Sequence, residues 1–381
     1  MTLDDIVRRE FPRLLEGDTV WLNNASTGPL PERALELSGE LVERRLMPWR
    51  YGTEEQFGAL DACRAHCARL IGASPKEIAL TVNTTAGINL AARALPLGPG
   101  DVVIGTDRDF PANAYPWMAA ARDRGFTFRQ VACRDGLFDE DAIVAALDTP
   151  GARALATSWV SFESGVRLDL DRLGAECRRR GITFIVDAMQ GLGPLTLDVS
   201  RTPIDILVCG GQKWLLSPWG TGFAYLGKDL AARLEPINVS WMAVRGSEDF
   251  SRLVDYRLDY RDDARRFDAI TLPYQDFAVM AASLALMHEI GPAAIAERVL
   301  ERTTRLVAWA ASRAEMRLVT PAAPHRRAGI VSIAPPDPVA MSSRLNAGGI
   351  AHSLREGAIR LAPYFFTPAE HVERAIDVLS R

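Results

Sequence analysis

Short apolar runs alternate with longer amphipathic segments through the middle of the chain. Each apolar run has the length of a buried strand and ends in polar or glycine-rich residues. Segments with the helical spacing of apolar residues lie between the runs, as at 139–147 and 169–180. This alternation predicts an α/β fold with a mostly parallel sheet covered by helices on both faces. The predicted strands are 78–82, 102–104, 154–160, 182–186 and 204–209.

The pattern changes at about residue 278, where long helical segments replace the alternation. Helices are predicted at 278–290, 295–314 and 368–380, with short strands at 329–333 and 358–361. An amphipathic helix is also predicted at 3–15, and its apolar face needs a partner. We therefore predict a large domain at 16–265 and a smaller α+β domain formed by 1–15 and 266–381. The polar, weakly patterned segment 241–268 is either an exposed crossover, an interface loop or a solvated face.

Composition limits the function classes. The chain has 381 residues, a net charge of −4 and 48% hydrophobic residues, which favours neither nucleic acid nor a membrane surface as a partner. The first residues lack an apolar signal region, and no run of about 18 apolar residues predicts a spanning helix. Five scattered cysteines indicate reduced thiols, so we expect a cytoplasmic protein. Cys63, His66 and Cys67 have the spacing of a helix face, and no metal site is predicted.

Two segments carry the strongest chemical signal. In VCGGQKW, two glycines let the chain turn tightly after a strand and place Lys213 among apolar neighbours. Desolvation would lower the pKa of this amine, as a Schiff-base lysine requires. In FIVDAMQG, Asp187 ends a strand and could hold a cofactor's pyridine nitrogen protonated, with Gln190 beside it. The structural alternatives are a surface lysine after a turn and an aspartate that caps the next turn.

Three further segments suit a phosphate, a flat ring and a carboxylate. Thr84, Thr85 and Ala86 lie where a strand passes into a helix, and hydroxyls and free N–H groups there suit a phosphate. Phe110 follows another strand and could stack on a heteroaromatic ring. Arg360, with Arg355 as a second candidate, could bind a substrate carboxylate. A threonine cap, core packing and a structural salt bridge are the alternatives.

The order and number of these segments resemble the class V aminotransferase family of fold-type I pyridoxal-phosphate (PLP) enzymes. That family includes cysteine desulfurases, kynureninases and isopenicillin N epimerase-like proteins, and the resemblance runs from about residue 20 to 380. It begins with WLNNASTGPLP, which is similar to the family's pocket-lining segment at Asn24, Ala25 and Ser26. The resemblance implies PLP as cofactor and a large domain with a seven-stranded sheet.

The resemblance also implies a role for each candidate residue. Lys213 would bind the cofactor covalently, Asp187 would pair with its ring nitrogen, and Gln190 would meet its phenolic oxygen. The segment FDAITLPYQ resembles one in which a threonine of the neighbouring subunit reaches the phosphate, which implies a homodimer with the site at its interface. The other implied contacts are the phosphate for Thr84, Thr85, Ala86, Gln212 and Thr271, the ring face for Phe110, and the substrate for Asn24, Ala25, Arg360 and Arg355.

Several positions depart from the family pattern. Gln212 stands where many relatives have histidine, Gly210 where many have a phosphate-binding serine, and Phe110 where desulfurases have histidine. Phe162 occupies a position that is often asparagine in desulfurases. Residues 342–359 contain no cysteine, so the nucleophilic thiol of desulfurases has no counterpart in that stretch.

We therefore predict a PLP-dependent enzyme that acts at the Cα of an amino acid, with transamination as the main expectation. Elimination at Cβ, with cleavage of a C–S or C–Se bond, and epimerisation are the alternatives within the family. A PLP-fold binding subunit without catalysis is a further alternative, although Lys213 and Asp187 are both present. The motifs of dinucleotide-binding, P-loop, serine-hydrolase and zinc-protease sites are absent from the sequence.

Overall fold

A computed structural model describes residues 2–268 and 271–381 of the chain. The α-helices are α1 (Leu3–Glu10), α2 (Pro12–Glu16), α3 (Glu32–Arg45), α4 (Thr53–Ile71), α5 (Thr84–Ala94), α6 (Tyr115–Arg124), α7 (Glu140–Ala146), α8 (Leu170–Arg180), α9 (Lys228–Arg233), α10 (Tyr274–Ile290), α11 (Pro292–Ala311), α12 (Pro338–Ala347) and α13 (Ala369–Leu379). The strands are β1 (Val20–Trp21), β2 (Ile78–Thr81), β3 (Val102–Thr106), β4 (Thr127–Val131), β5 (Ala152–Ser158), β6 (Thr183–Asp187), β7 (Ile206–Gly210), β8 (Gly222–Leu226), β9 (Arg317–Leu318), β10 (Val331–Ala334), β11 (Ile350–Ala351), β12 (Ser353–Arg355) and β13 (Ala358–Leu361).

The central sheet has seven strands in the order β2-β8-β7-β6-β5-β3-β4. All neighbouring pairs are parallel except those made by β8, which runs antiparallel to both β2 and β7. The prediction of a mostly parallel sheet between helices is thus confirmed, and all five predicted strands are present with ends shifted by up to two residues. Because parallel strands end on the same edge, the residues after β5, β6 and β7 meet there.

Helix α8 shows how the flanking helices are held against the sheet. Asp169 caps it by accepting a hydrogen bond from the Arg172 N–H, and Gly181 ends it with a positive φ of 67°. Leu173 and Cys177 are buried on its inner face. Burial of a leucine side chain such as Leu173 stabilises the fold by about 2 kcal/mol.

A second, antiparallel sheet lies in the C-terminal part of the chain, in the order β12-β13-β10-β9. β1 pairs with β11, and Asn23 forms a bridge with Ala362, so the segment after β1 is fixed beside this sheet. Helix α10 packs chiefly against α4 and α3. The division into domains at residues 15 and 265 stays a prediction.

The predicted single helix at 3–15 is wrong, because the structure divides it into α1 and α2. Proline 12 has no N–H to continue the hydrogen-bond ladder, and Phe11 leaves the helical conformation with φ −136° and ψ 41°. The Phe11 ring lies 4.7 Å from that of Phe366. The amphipathic start of the chain therefore finds its apolar partner next to the last helix.

The cysteine cluster lies on α4. Cys63 and Cys67 are buried in the main hydrophobic core, and the His66 ring stacks on His288 at 5.4 Å. In the described ranges, no three His, Cys, Asp or Glu side chains are placed to hold a metal ion. Within those ranges no single helix is both long and apolar enough to cross a membrane; α10 and α11 reach that length and composition only as a pair bent by 80°.

Candidate active site

A cavity of about 300 Å³ opens at the carboxyl edge of the central sheet. Ser158 and Asp187, the last residues of β5 and β6, line it together with Lys213, three residues after the end of β7. Arg360, on β13 of the smaller sheet, also lines the cavity, so both sheets contribute to it. Its volume is at the lower end of the range for small-molecule sites.

Asp187 is buried at the base of this cavity. Its Oδ1 accepts a hydrogen bond of 2.8 Å from the Met189 N–H. Burial and, to a smaller extent, nearby Asp109 raise the pKa of Asp187 to about 7, against the opposing effects of the Met189 hydrogen bond and Lys213. A carboxyl group in this setting would be stabilised as an anion by a cationic group brought into the cavity.

Lys213 is partly buried, and its surroundings favour the neutral amine. Burial, with a smaller contribution from Arg360, lowers its pKa to about 8 against the opposing effect of Asp187. Its Nζ lies 5.5 Å from the centre of the Phe110 ring. The other lysines of the chain, Lys76 and Lys228, are exposed and do not line the cavity. Lys213 is therefore the one lysine placed for chemistry there.

The backbone around Lys213 is held tightly. The Gly28 N–H donates to the Gln212 carbonyl at 2.9 Å, and a Cβ at Gly28 would lie 2.0 Å from the Lys213 carbonyl oxygen. Tyr364 donates its hydroxyl hydrogen to the Trp214 carbonyl at 2.8 Å. Such contacts on both sides fix the direction of the Lys213 side chain.

Hydrogen bonds of Gln190 link the segment after Lys213 to the segment after β1. Gln190 Oε1 accepts from Trp214 Nε1 at 2.7 Å, and Gln190 Nε2 donates to the Ala25 carbonyl at 3.0 Å. One amide hydrogen of Gln190 is left for another acceptor, since the amide nitrogen carries two. Gln190 and Ala25 both line the cavity.

The N-terminus of α5 forms the other end of the cavity. The Asn83 side chain caps α5 by accepting from the Ala86 N–H at 2.9 Å, and Thr84 Oγ1 accepts from the Gly210 N–H at 3.0 Å. The Thr84 hydroxyl hydrogen and the exposed Thr85 hydroxyl remain for a ligand. A helix N-terminus with two hydroxyls suits a phosphate group.

Two aromatic rings lie beside Lys213. The Phe110 and Phe162 rings are 5.2 Å apart at 76°, an edge-to-face pair. Phe110 is 43% exposed, so one face of its ring is free for another ring. Phe110 is preceded by Asp109, which accepts hydrogen bonds from the Ser158 hydroxyl at 2.5 Å and the Ser158 N–H at 3.0 Å.

Arg360 is a buried guanidinium without a carboxylate partner in the described part of the chain. Its Nη1 donates to the Phe162 carbonyl and its Nη2 to Ser26 Oγ, both at 2.8 Å, while no acceptor is described for its Nε. Burial and, to a smaller extent, nearby Arg355 lower its pKa to about 10. A buried cation with an unused N–H is suited to an anionic ligand.

Most residues predicted from the sequence meet in this cavity. Those that line it are Ala25, Thr84, Thr85, Phe110, Asp187, Gln190, Gln212, Lys213, Arg355 and Arg360. Asn24 is instead buried behind it, donating to the Lys213 carbonyl at 3.4 Å. Ala86 gives its N–H to Asn83, and Thr271 is exposed, so neither lines the cavity in the single chain.

Several lining residues were not predicted. Ser158 pairs directly with Asp187 across β5 and β6, and the rule that parallel strands end on one edge could have indicated it. No sequence signal marks Trp219, which is exposed beside Gly220 and lines the cavity mouth. The other lining residues without a prediction are Asn83, Ala112 and Met189.

Comparisons with known proteins show the family to which the chain belongs. Residues 20–361 match the family model for class V aminotransferases. The chain is 31% identical to isopenicillin N epimerase of Streptomyces clavuligerus over 96% of its own length and 95% of the relative's. It is 26% identical to kynureninase of Bacillus cereus, over 95% and 88% of the two chains. The fold is also similar to that of the cystine C–S lyase C-DES, solved in complex with cysteine persulfide. The two structures align over 97% of this chain and 99% of the C-DES chain, with a TM-score of 0.88 and 23% identity.

The chain belongs to the class V aminotransferase family of PLP-dependent enzymes. The residues of the cavity fit that cofactor. Asp187 is a buried carboxyl without a bound cation, α5 presents two free hydroxyls, and the described lysines place only Lys213 between these two ends. The family and the donor set therefore point to the same cofactor.

Proposed function

We propose that the protein is a PLP-dependent aminotransferase that uses Lys213 and Asp187 on an amino-acid substrate. The observation that carries this proposal is the meeting of a lysine of lowered pKa and a buried carboxyl of raised pKa in one cavity. Perturbed groups that converge in a cleft are typical of catalytic sites. When bound, PLP supplies an electron sink for the charge that develops at the substrate Cα.

The chain's own residues would hold the cofactor from three sides. Lys213 Nζ would bind it covalently, Asp187 would form an ion pair with the protonated ring nitrogen, and Thr84 and Thr85 would donate to the phosphate. Gln190 would use its remaining amide hydrogen on the phenolic oxygen, and Gln212 would add a donor near the phosphate. Phe110 would cover one face of the ring.

Arg360 would bind the substrate α-carboxylate and so orient the Cα–H bond. Its unused Nε hydrogen and its burial support this role, because a carboxylate would complete its hydrogen bonds and neutralise its charge. Lys213 Nζ, in its neutral form, would then be the group placed to take the Cα proton as a general base.

The identity of the proton carriers favours transamination among the family's reactions. Among the described lining residues, Lys213 is the one side chain that is basic near neutral pH, apart from Asp187 at the base of the cavity. A single amine can remove a proton and return it from the same side, as transamination requires. An epimerase that uses two bases needs a second such group, and a C–S lyase is the other alternative within the family.

The reaction is tested by mixing the purified holoenzyme with a panel of amino acids. An aminotransferase changes the cofactor absorbance with its substrate in a half-reaction and releases a keto acid without sulfide. A lyase would release the sulfur leaving group together with ammonia and pyruvate, and an epimerase would invert Cα without releasing a keto acid. Either result would replace transamination by that reaction. An absence of any absorbance change across the panel would contradict the proposed activity at Cα.

A homodimer is part of this proposal. Large apolar side chains are exposed on two segments outside the cavity: Leu46, Trp49, Val254, Tyr256 and Leu258. Exposed apolar patches of this kind mark interaction surfaces, and Thr271 is free to reach a partner's site. Sedimentation should give a dimer for the wild-type protein, and Tyr256→Asp together with Trp49→Asp should shift it toward monomer. A wild-type monomer would contradict the homodimer.

The cytoplasm is the proposed location. Cys63, Cys67, Cys177 and Cys209 are buried, all five cysteines are unpaired in the structure, and reduced thiols are typical of the cytosol. Cell fractionation with a thiol-labelling assay tests this. Recovery in an oxidising compartment would contradict it.

A further inference from the structure

Two arginines project from one hairpin toward the same cavity. Arg360 lies on β13 directly opposite Ser353 of β12, and Arg355 is two residues beyond Ser353 on that strand. Side chains two residues apart on a strand share a face, so both guanidinium groups lie on the same side of the hairpin. Diagonal neighbours of this kind have Cα atoms roughly 7 Å apart. Both arginines line the cavity.

The two arginines differ in burial and in their use of hydrogen bonds. Arg360 is buried and holds the Phe162 carbonyl and Ser26. Arg355 is exposed at the mouth, and the acceptor described for it is the Leu354 carbonyl, at 3.0 Å from Nη1. In the described ranges, no carboxylate lies within 4.0 Å of either guanidinium. Each cation therefore has donors available for an anion.

One of the cationic side chains that line the cavity has no role in the proposed function. Its charged lining residues are Asp187, Lys213, Arg355 and Arg360. The proposed function uses Lys213 and Asp187 on the cofactor and Arg360 on the substrate α-carboxylate. The hydroxyls of Thr84 and Thr85 belong to α5 of the large sheet, whereas Arg355 is on the hairpin beside Arg360. Arg355 is thus placed on the substrate side.

We propose that Arg355 binds a second anionic group on the substrate, so that the enzyme prefers amino acids with an acidic side chain. This inference rests on the proposed function, because it takes Arg360 as the site of the α-carboxylate. The short diagonal between the arginines suits two carboxylates separated by a few carbon atoms. The apolar rings of Phe110 and Phe162 would contact the methylene groups between them.

Calorimetric binding of simple acids to the holoenzyme tests the arginine pair without turnover. Succinate and glutarate carry two carboxylates, while butyrate and pentanoate of matched length carry one. We expect the dicarboxylates to bind about tenfold or more tightly, as one added charge-assisted contact would give. Arg355→Gln should remove this difference and leave the monocarboxylate affinity unchanged. Glu356→Gln, next to it on the turn and outside the cavity lining, should keep the difference.

The same variants are then compared with L-aspartate, L-glutamate and L-2-aminoadipate against L-asparagine and L-glutamine, by kcat/KM. At least one acidic amino acid should exceed both amides by about tenfold in the wild-type protein and lose this advantage in Arg355→Gln. Equal binding of the two acid series, or a preference that survives Arg355→Gln, would overturn the inference and leave the proposed function intact. A protein that takes up no cofactor at Lys213 would overturn both.

Discussion

Asp187 ends one parallel strand, Lys213 follows the end of its neighbour, and the two side chains line a single cavity. Each acts on the other's pKa, since Lys213 lowers that of Asp187 and Asp187 raises that of Lys213. Burial outweighs this attraction in both cases and brings the two pKa values to about 7 and about 8. At pH 7 the Asp187 carboxyl is therefore about half ionised and the Lys213 amine is still mostly protonated, and both line the site for a protonated ring.

Replacement of Asp187 by asparagine should abolish most of the activity while the cofactor stays bound. Asparagine cannot stabilise the protonated ring nitrogen, so kcat should fall by roughly a hundredfold to a thousandfold, as for loss of one electrostatic contact in an active site. Steady-state kinetics and the cofactor absorbance check this. Asp205→Asn is the control, because Asp205 is a partly buried carboxyl that accepts from the Phe184 N–H at the other end of the sheet. Equal losses in both variants would contradict a specific role for Asp187.

Cofactor uptake by the apo-protein should follow the titration of Lys213. The neutral amine is the reactive form, and burial lowers its pKa to about 8, so the rate should rise with pH up to about 8 and then level off. Stopped-flow absorbance with added PLP measures this, and a free alkylamine is the control whose rate keeps rising toward pH 10. A midpoint near 10 for the protein would show that Lys213 is not desolvated.

Replacement of Arg360 by methionine should separate stability from substrate binding. The buried guanidinium has no carboxylate partner among the described residues, so the free energy of unfolding should stay equal or rise by about 1 kcal/mol. Substrate KM should rise by about tenfold or more, because the carboxylate contact is lost. Arg327→Met is the control, since that buried arginine does not line the cavity and donates hydrogen bonds to the Thr303 and Thr304 hydroxyls. A stability loss above about 2 kcal/mol with unchanged KM would make Arg360 structural.

Gly28→Ala should destabilise the loop that carries Lys213. The new Cβ would lie 2.0 Å from the Lys213 carbonyl oxygen, so the backbone must shift, at a cost of about 2 kcal/mol or more in unfolding free energy. Gly58→Ala is the control, because Gly58 lies on the exposed face of α4 with nothing within 4 Å of the added Cβ, and it should stabilise by about 0.5–1 kcal/mol. Denaturant unfolding of both variants decides this. Equal effects would contradict the close approach.

The regular parts of the fold were predictable because their burial is continuous. The predicted strands at 182–186 and 204–209 lie within two residues of β6 and β7, whose residues are almost all buried. β4 was not predicted, because its sequence TFRQV is largely exposed at the sheet edge. β8 (GFAYL) was not predicted either, although it is an apolar run that is fully buried like β7. The break at Phe11 follows from one proline within an otherwise helical pattern.

The candidate site was predictable where chemistry and strand ends coincide. Asp187, Lys213 and Thr84 each follow a strand, and the structure brings them to one cavity. The support around them depends on long-range contacts that no local pattern contains. Gly28 contacts Lys213 across 185 positions of sequence, and Tyr364 reaches the Trp214 carbonyl from the C-terminal segment.

The most direct test is to find the residue that binds the cofactor covalently. The chain has three lysines, Lys76, Lys213 and Lys228, so borohydride reduction of the holoenzyme followed by peptide mass mapping gives one of few answers. We expect the reduced pyridoxyl group on Lys213. It should be lost together with the visible absorbance in Lys213→Ala and retained in Lys76→Ala and Lys228→Ala. A pyridoxyl group on Lys76 or Lys228, or visible covalent absorbance that persists in Lys213→Ala, would contradict it.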